Sequence, residues 1–232
     1  MIRSDNIRMF DAIARTYDTL NHTLSLGIDK RWRARGIAFL RPFSPEHILD
    51  IATGTGDLAI AMHKALHPAH ITGVDLSEGM MEIGRRKAVV CGCSAQITFE
   101  RQDCLSLTYA DNSFDAVTAA FGVRNFEHIE RGIAEMYRVL RPGGHLMILE
   151  LSHPRRFPVK QLYELYSKTI IPSVGRLLSG ENTAYWYLPA SIRAVPQGEA
   201  MAEILRRQGF GNVDVRTFTF GICSLYTGEK TN

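Results

Sequence analysis

The sequence predicts an α/β fold in which a mostly parallel sheet is covered by helices on both faces. Two observations carry this expectation. Short apolar runs alternate with helix-length amphipathic stretches from residue 47 onward, and a glycine-rich turn follows the first of those runs. A third points to the far edge of the sheet, where two strand-like runs flank Gly221 as an antiparallel hairpin would. The 232 residues are 45% hydrophobic and 22% charged, a balance that favours a packed globular chain over a disordered one.

Apolar positions Ile7, Phe10, Ile13 and Tyr17 recur near a 3.6-residue period and predict a helix over 6–17, with another over 27–40. The run Pro42-Phe43-Ser44-Pro45 interrupts the helical pattern. A buried strand is expected at 47–51, a helix at 57–66 and a strand at 70–75, and Ser77 suits the N-cap of a helix reaching Val90. Strands at 96–100 and 114–120 come next. A helix at 129–140 and a strand at 145–151 follow, separated by the Pro142-Gly143-Gly144 turn. Residues 157–190 are rich in aromatic and basic groups without a strand signal, and a helical lid is expected over 152–190. A helix at 197–208 and strands at 212–218 and 222–227 complete a single domain capped by helices over 1–42.

Bulk properties narrow the function classes. A net charge of +3 gives no general case for nucleic acid, and none is expected as a partner. No run approaches the about 18 apolar residues of a membrane span, and the acidic, interrupted N-terminus does not read as a secretory signal. The cysteines, at 91, 93, 104 and 223, lack zinc-ligand spacing and are expected to be reduced thiols of a cytoplasmic protein.

The chemistry-bearing segment is Asp50-Ile51-Ala52-Thr53-Gly54-Thr55-Gly56-Asp57. It ends a strand, turns and starts a helix, at the strand's carboxyl end where open α/β sheets take ligands. Gly54 and Gly56 allow a close backbone approach that a Cβ would block. Gly54-x-Gly56-x-x-Ala59 also fits a dinucleotide site. Asp57 argues the other way, because a carboxylate there would repel a pyrophosphate at the helix N-terminus. A cofactor with a sulfonium and an ammonium group, and no phosphate, meets no such conflict. A purely structural turn is the third reading. Asp75, followed by Leu76, can accept hydrogen bonds from ribose hydroxyls or favour the start of the next helix. Asp103, before Cys104, stands at the height of an adenine amino group or is a solvated loop acid.

Together these segments resemble class I methyltransferases, and nearly the whole chain is similar to the menaquinone/ubiquinone biosynthesis C-methyltransferase family. The likeness rests on Phe10-Asp11-Ala12-Ile13-Ala14-Arg15-Thr16-Tyr17-Asp18 with Asn21, on Leu24-Ser25-Leu26-Gly27-Ile28-Asp29 with Trp32-Arg33, and on the glycine loop. It extends through Gly73-Val74-Asp75-Leu76-Ser77, Phe121-Gly122-Val123-Arg124-Asn125-Phe126, the turn Arg141-Pro142-Gly143-Gly144 and the tail Phe220–Gly228. The resemblance implies a Rossmann-like, seven-stranded sheet and S-adenosylmethionine as cofactor. It places Gly54, Thr55, Gly56, Asp75, Leu76, Asp103 and Cys104 at the cofactor. At position 120, where the family often has a serine, this chain has Ala120.

The implied reaction is methylation of a ring carbon of reduced demethylmenaquinone to give menaquinol. A ubiquinone-pathway benzoquinol or another small aromatic acceptor is the alternative. A nicotinamide oxidoreductase and a catalytically silent cofactor-binding module are more distant readings. A quinone ring is electron-poor, whereas a quinol losing a phenolic proton becomes nucleophilic at carbon. A phenol near pKa 10 is neutral at pH 7, so a base or a stabilising cation is needed. Arg124, expected to face the cofactor crevice, is the cation; Asn125 orients the quinol oxygen and Tyr17 closes over the methyl donor. His22, His128 and His153 are alternative bases. In the lid, Phe157, Leu162, Tyr163, Leu165, Tyr166, Ile170, Ile171 and Leu177 suit a lipophilic tail, and Arg155, Arg156, Lys160, Lys168 and Arg176 suit anionic headgroups. These residues imply transient contact with a membrane surface, placing the protein peripherally at the inner membrane. A homodimer stays open.

Overall fold

The computed structural model describes residues 3–179 and 183–231. In chain order the elements are α1 (Arg3–Leu24), α2 (Ile28–Leu40), β1 (His47–Ile51), α3 (Asp57–Leu66), β2 (His70–Asp75) and α4 (Glu78–Val90). They continue with β3 (Ile97–Arg101), β4 (Phe114–Ala120), α5 (Ile129–Val139), β5 (Leu140–Leu151), α6 (Val159–Ser179) and α7 (Thr183–Ala194). The last three are α8 (Glu199–Arg207), β6 (Phe210–Phe218) and β7 (Cys223–Lys230). Seven strands form one sheet in the order β3-β2-β1-β4-β5-β7-β6. The pairs from β3 through β5 are parallel, and β7 pairs antiparallel with both β5 and β6.

Strand alternation sorts the core into two layers. Ile48, Ile71, Ala116, Met147 and Leu149 face a cluster with Trp32, Ile37 and Leu40 of α2, Leu58 and Met62 of α3 and Met81 of α4. Leu49, Ile51, Val74, Val117 and Ile148 face the other, with Ile133 and Met136 of α5 and Met201 and Leu205 of α8. A third cluster lies outside the sheet. Met9, Ile13 and Leu20 of α1 pack with Tyr166 of α6 and with Tyr187 and Leu188 of α7. The N-terminal helix and the expected lid thus share a small core of their own.

Most element boundaries fall where periodicity puts them, and Ser77 caps α4 by accepting from the Met80 N–H at 3.2 Å. Two differ. The first helix extends from Arg3 to Leu24, well past 6–17, because Asp18 and His22 on its last turns are paired with side chains of the sheet domain instead of breaking the helix. The Pro142-Gly143-Gly144 turn lies inside β5 as an irregularity, with pairing to β4 shifting register between Phe114 and Ala116. The side chains of Ile170, Ile171, Arg176 and Leu177 lie outside the described residues. Among those residues no helix is long and apolar enough to cross a membrane.

Candidate active site

Two adjoining cavities open at the carboxyl ends of the parallel strands. The first, of about 130 Å³, is walled by the loop after β1 and the ends of β2, β3 and β4, with Asn6, Ile7, Phe10 and Tyr17 of α1 lying across it. The second, of about 400 Å³, lies between α1, α2, α6 and α7 and is lined mainly by apolar and aromatic side chains, including Leu24, Ile28, Leu162 and Ile192. Tyr17, Arg33 and Phe121 line both.

The glycine loop forms through left-handed backbone at Ala52, Gly54 and Gly56. Gly54 lines the first pocket; Gly56 does not. A Cβ on Gly56 would stand 2.7 Å from Cζ of Phe99, so this glycine lets the loop pack closely on that ring. Asp75 Oδ2 accepts from the Gly54 N–H and Oδ1 from the Ser77 N–H, both at 2.9 Å. Burial pushes its carboxyl above the usual range against these donors. The same carboxylate therefore braces the loop, starts α4 and keeps acceptor lone pairs toward the pocket.

Leu76, Asp103, Cys104 and Ala120 also line this pocket. Asp103 Oδ1 accepts from the Leu105 N–H at 2.9 Å, shaping its own turn. Thr55 lines it too, with its hydroxyl donating to Asp18 of α1 at 2.5 Å.

The sequence reading overlooked Asp50. This fully buried acid on the pocket floor accepts from the hydroxyls of Thr53 and Thr118, both at 2.7 Å. Burial pushes its carboxyl up to about 6 despite those bonds. A bound cation would find there an acid that gains from being ionised.

Two expectations need correction. The sequence presents Asp57 as a bare carboxylate that repels phosphate. It is paired with Lys87 of α4, with Arg33 Nη2 at 3.5 Å and with His22 Nε2 at 3.4 Å, so its charge is largely compensated and its repulsion is weaker than the sequence suggests. Arg124 does not line the first pocket. It follows β4 in a short 3-10 turn and lines the second cavity instead. Its guanidinium donates to Glu150 of β5 at 2.8 Å and to the Phe121 carbonyl, while its backbone N–H donates to the other Glu150 oxygen at 3.0 Å. Burial opposes the charge, but Glu150, with smaller contributions from Tyr17 and Tyr187, outweighs it and holds the guanidinium above its ordinary value. Its Nε is buried without a hydrogen-bond partner among the described residues.

Asn125 stands on the first pocket's wall and accepts from the Tyr187 hydroxyl at 3.0 Å. His22, His128 and His153 line neither cavity. Glu150 carried one faint signal in the sequence, a single acid inside the apolar run Leu146–Leu151.

A seven-stranded sheet with this strand order, its antiparallel C-terminal pair, and a polar pocket above the first parallel strands define a class I methyltransferase. Consistent with that fold, a SAM-dependent methyltransferase from Thermotoga maritima superposes with a TM-score of 0.67 at 17% identity, over 96% of this chain and 100% of that one. The chain belongs to the ubiE/COQ5 methyltransferase family, whose model matches residues 3–230. It is 56% identical to the demethylmenaquinone methyltransferase of Bacteroides fragilis over 96% of this chain and 91% of that protein. It is 41% identical to a ubiquinone/menaquinone biosynthesis C-methyltransferase of Geobacter sulfurreducens, over 98% and 90%.

Proposed function

We propose that the protein methylates a ring carbon of reduced demethylmenaquinone, with S-adenosylmethionine held in the first pocket and the quinol in the second cavity. The observation that carries this reading is the pairing of a small acidic pocket with a larger, mainly apolar cavity that Arg124 lines. (Arg33 belongs to both spaces.) The relatives' names support the same acceptor.

The residues fit the donor. Asp75 offers acceptors for ribose hydroxyls, Asp50 an acid for a positive charge, and Gly54 an open backbone. Thr55, Leu76, Asp103, Cys104 and Ala120 complete the wall. When bound, S-adenosylmethionine supplies an electrophilic methyl group on its sulfonium.

In the second cavity Arg124 stabilises the quinol oxygen as it gives up its proton, through the charge of its guanidinium. Glu150 keeps that guanidinium in place and charged. Asn125, fixed by Tyr187 on the first pocket's wall, orients the oxygen from the donor side, and Tyr17 stands where the two spaces meet. With the donor bound, the ring carbon would take the methyl group as the S–CH3 bond breaks and S-adenosylhomocysteine leaves; the carbon would then lose its proton and the oxygen regain one, so that one proton passes to solvent per turnover.

The cavity mouth suits a tail that remains in lipid. Leu26 and Leu162 line the cavity and are exposed, Leu26 by 84%, and Phe157 and Phe220 are more than four-fifths exposed nearby in the chain. Thr219 and Phe220 hold left-handed backbone, a cost that keeps an aromatic ring in solvent. Lys30, Arg31, Arg155, Arg156 and Lys160 are exposed in the flanking segments. This rim is the part of the protein that rests on the membrane surface.

Turnover of a short-chain reduced naphthoquinol, with none of the oxidised quinone, is the expected result. Equal turnover of both forms would remove the nucleophilic-quinol reading.

A further inference from the structure

A third cavity, a cleft of about 470 Å³, carries charge that neither proposed substrate uses. It lies between the segment before α6, α6 itself, the end of α7 and the start of α8. It shares α6 with the second cavity but uses a different face: Lys160 and Glu164 line the cleft, Leu162 and Tyr166 the cavity. Three cations line it, Arg155, Lys160 and Arg193, all exposed and none ion-paired among the described residues. Glu164 is the only acid among the described residues of its wall, and its carboxylate lies 3.9 Å from His153 Nε2. The back of the cleft is fixed. Pro154 and Val195 are buried, and Gln197 accepts from the His153 backbone N–H at 3.0 Å and donates to the Ile192 carbonyl.

Two helix starts strengthen the positive field. α8 begins without a side-chain cap, and the N–H of Ala200, on the cleft wall, has no hydrogen-bond partner among the described residues. α6 has no acid in its first turn and instead carries Lys160 there, preceded by Arg155 and Arg156. Cations at a helix N-terminus oppose the helix dipole, and an anion bound among them relieves that opposition.

The chemistry of the ligand follows from this donor set. Guanidinium and ammonium groups beside a free backbone N–H suit an anion with several oxygens and at least one full charge. We propose that the cleft binds a phosphate group, carried by an anionic phospholipid headgroup or by a soluble phosphate ester. The neighbouring apolar groups favour the lipid. Pro154 backs the turn that carries Phe220, since a Cβ on Gly221 would stand 3.6 Å from its Cα. Phe157 and Leu165, on the same segment as Lys160, are 82% and 61% exposed. Apolar side chains beside cations at headgroup depth are what interfacial binding uses. That choice of source rests on the membrane-contact reading above; the phosphate site does not.

Amide chemical shifts of the full chain, followed at Ala200 and Gln197 during titration, test the proposal. The probes are inorganic phosphate and dihexanoyl-phosphatidylglycerol below its micelle concentration, with acetate at matched ionic strength as the control. Both phosphate probes are expected to move Ala200 saturably, and acetate is not. Arg193→Gln should weaken both about 10-fold, as loss of a charge-assisted contact does. Arg156→Gln removes a charge of the same segment that does not line the cleft, and should change either affinity by less than about threefold.

Tighter binding of phosphatidylglycerol than of inorganic phosphate assigns the site to a lipid, and equal or weaker binding assigns it to a soluble ester. Wild-type shifts that do not saturate, or that acetate reproduces, overturn the proposal without any variant having to fold. Equal losses in Arg156→Gln and Arg193→Gln reduce the cleft to diffuse surface attraction and overturn it as well. Neither result touches the methyl-transfer reading, which concerns the other two cavities.

Discussion

The two cavities are built by different means. The first is walled mainly by residues that follow β1, β2, β3 and β4, with Asn6 and Tyr17 of α1 and Arg33 of α2 reaching across. The second is enclosed by α1, α2, α6 and α7, and it is larger and largely apolar. The difference separates two tasks. A cofactor with fixed charges needs a few polar atoms at fixed positions, which a sheet edge supplies. A lipophilic acceptor needs volume, apolar surface and a way in, which packed helices supply. On the proposed reading, cofactor recognition is the part that distant class members can share, and acceptor choice resides in the helical cap.

If that division is right, damage on one side should spare the other. The largest effect is expected at Arg124. In the double variant Arg124→Ala, Glu150→Gln, which avoids stranding a buried carboxylate, quinol methylation should fall at least ~100-fold, as when a preorganised donor is lost. Calorimetric affinity for S-adenosylhomocysteine should stay within about threefold. Near-normal turnover in that folded variant would end the role assigned to Arg124.

Asp75→Ala should do the reverse, weakening S-adenosylhomocysteine binding about 10- to 100-fold through the lost acceptors. The quinol KM at saturating donor should be unchanged. A joint loss of both would show that the cavities are not separable.

A pH profile sharpens the same point. The Asp50 carboxyl lies at about 6 in the free protein, with Arg33 and Asp75 as charged neighbours acting on it. A cationic ligand favours its ionised form, so binding releases a proton, and affinity falls as pH drops through about 6, by at most ~10-fold per unit. Asp50→Asn should reduce that slope. An unchanged slope would take Asp50 out of contact with the ligand's charge.

Gly56→Ala tests the packing behind the loop. It places a Cβ 2.7 Å from Phe99 at a φ of +75° and should cost about 1–3 kcal/mol in urea unfolding. The smallest effect on chemistry belongs to the mouth. Leu26→Asp with Phe220→Asp should reduce co-sedimentation with anionic vesicles several-fold and leave turnover of a short-chain quinol unaltered. Undiminished sedimentation would remove that rim as the lipid contact.

How far the sequence reaches depends on the range of the interaction. β1, α3 and β2 fall at the residues predicted, because alternation, helical period and the turn at Gly54–Gly56 are local signals. The positions of Gly54, Thr55, Asp75, Leu76, Asp103, Cys104 and Ala120 on one pocket were legible for the same reason, since each follows a strand end. Gly56 lies behind that wall, and nothing in the loop's own pattern distinguishes its packing glycine from its ligand-facing one.

The charge partners were not legible. Arg124 with Glu150 are 26 residues apart, and Asp57 meets His22, Arg33 and Lys87 from three different helices. A sequence records that these charges exist but not which of them face each other.

By itself the sequence determined the layered α/β architecture, the place of the glycine loop and the family, because these depend on short-range periodicity, turn stereochemistry and motif spacing. Only the tertiary structure decided that Arg124 lines the second cavity and that Asp57 meets His22, Arg33 and Lys87. It also decided that Arg33 spans both spaces. Each of these depends on which distant side chains the packing of helices against the sheet brings within a few ångströms, where burial makes the choice of partner decide the charge.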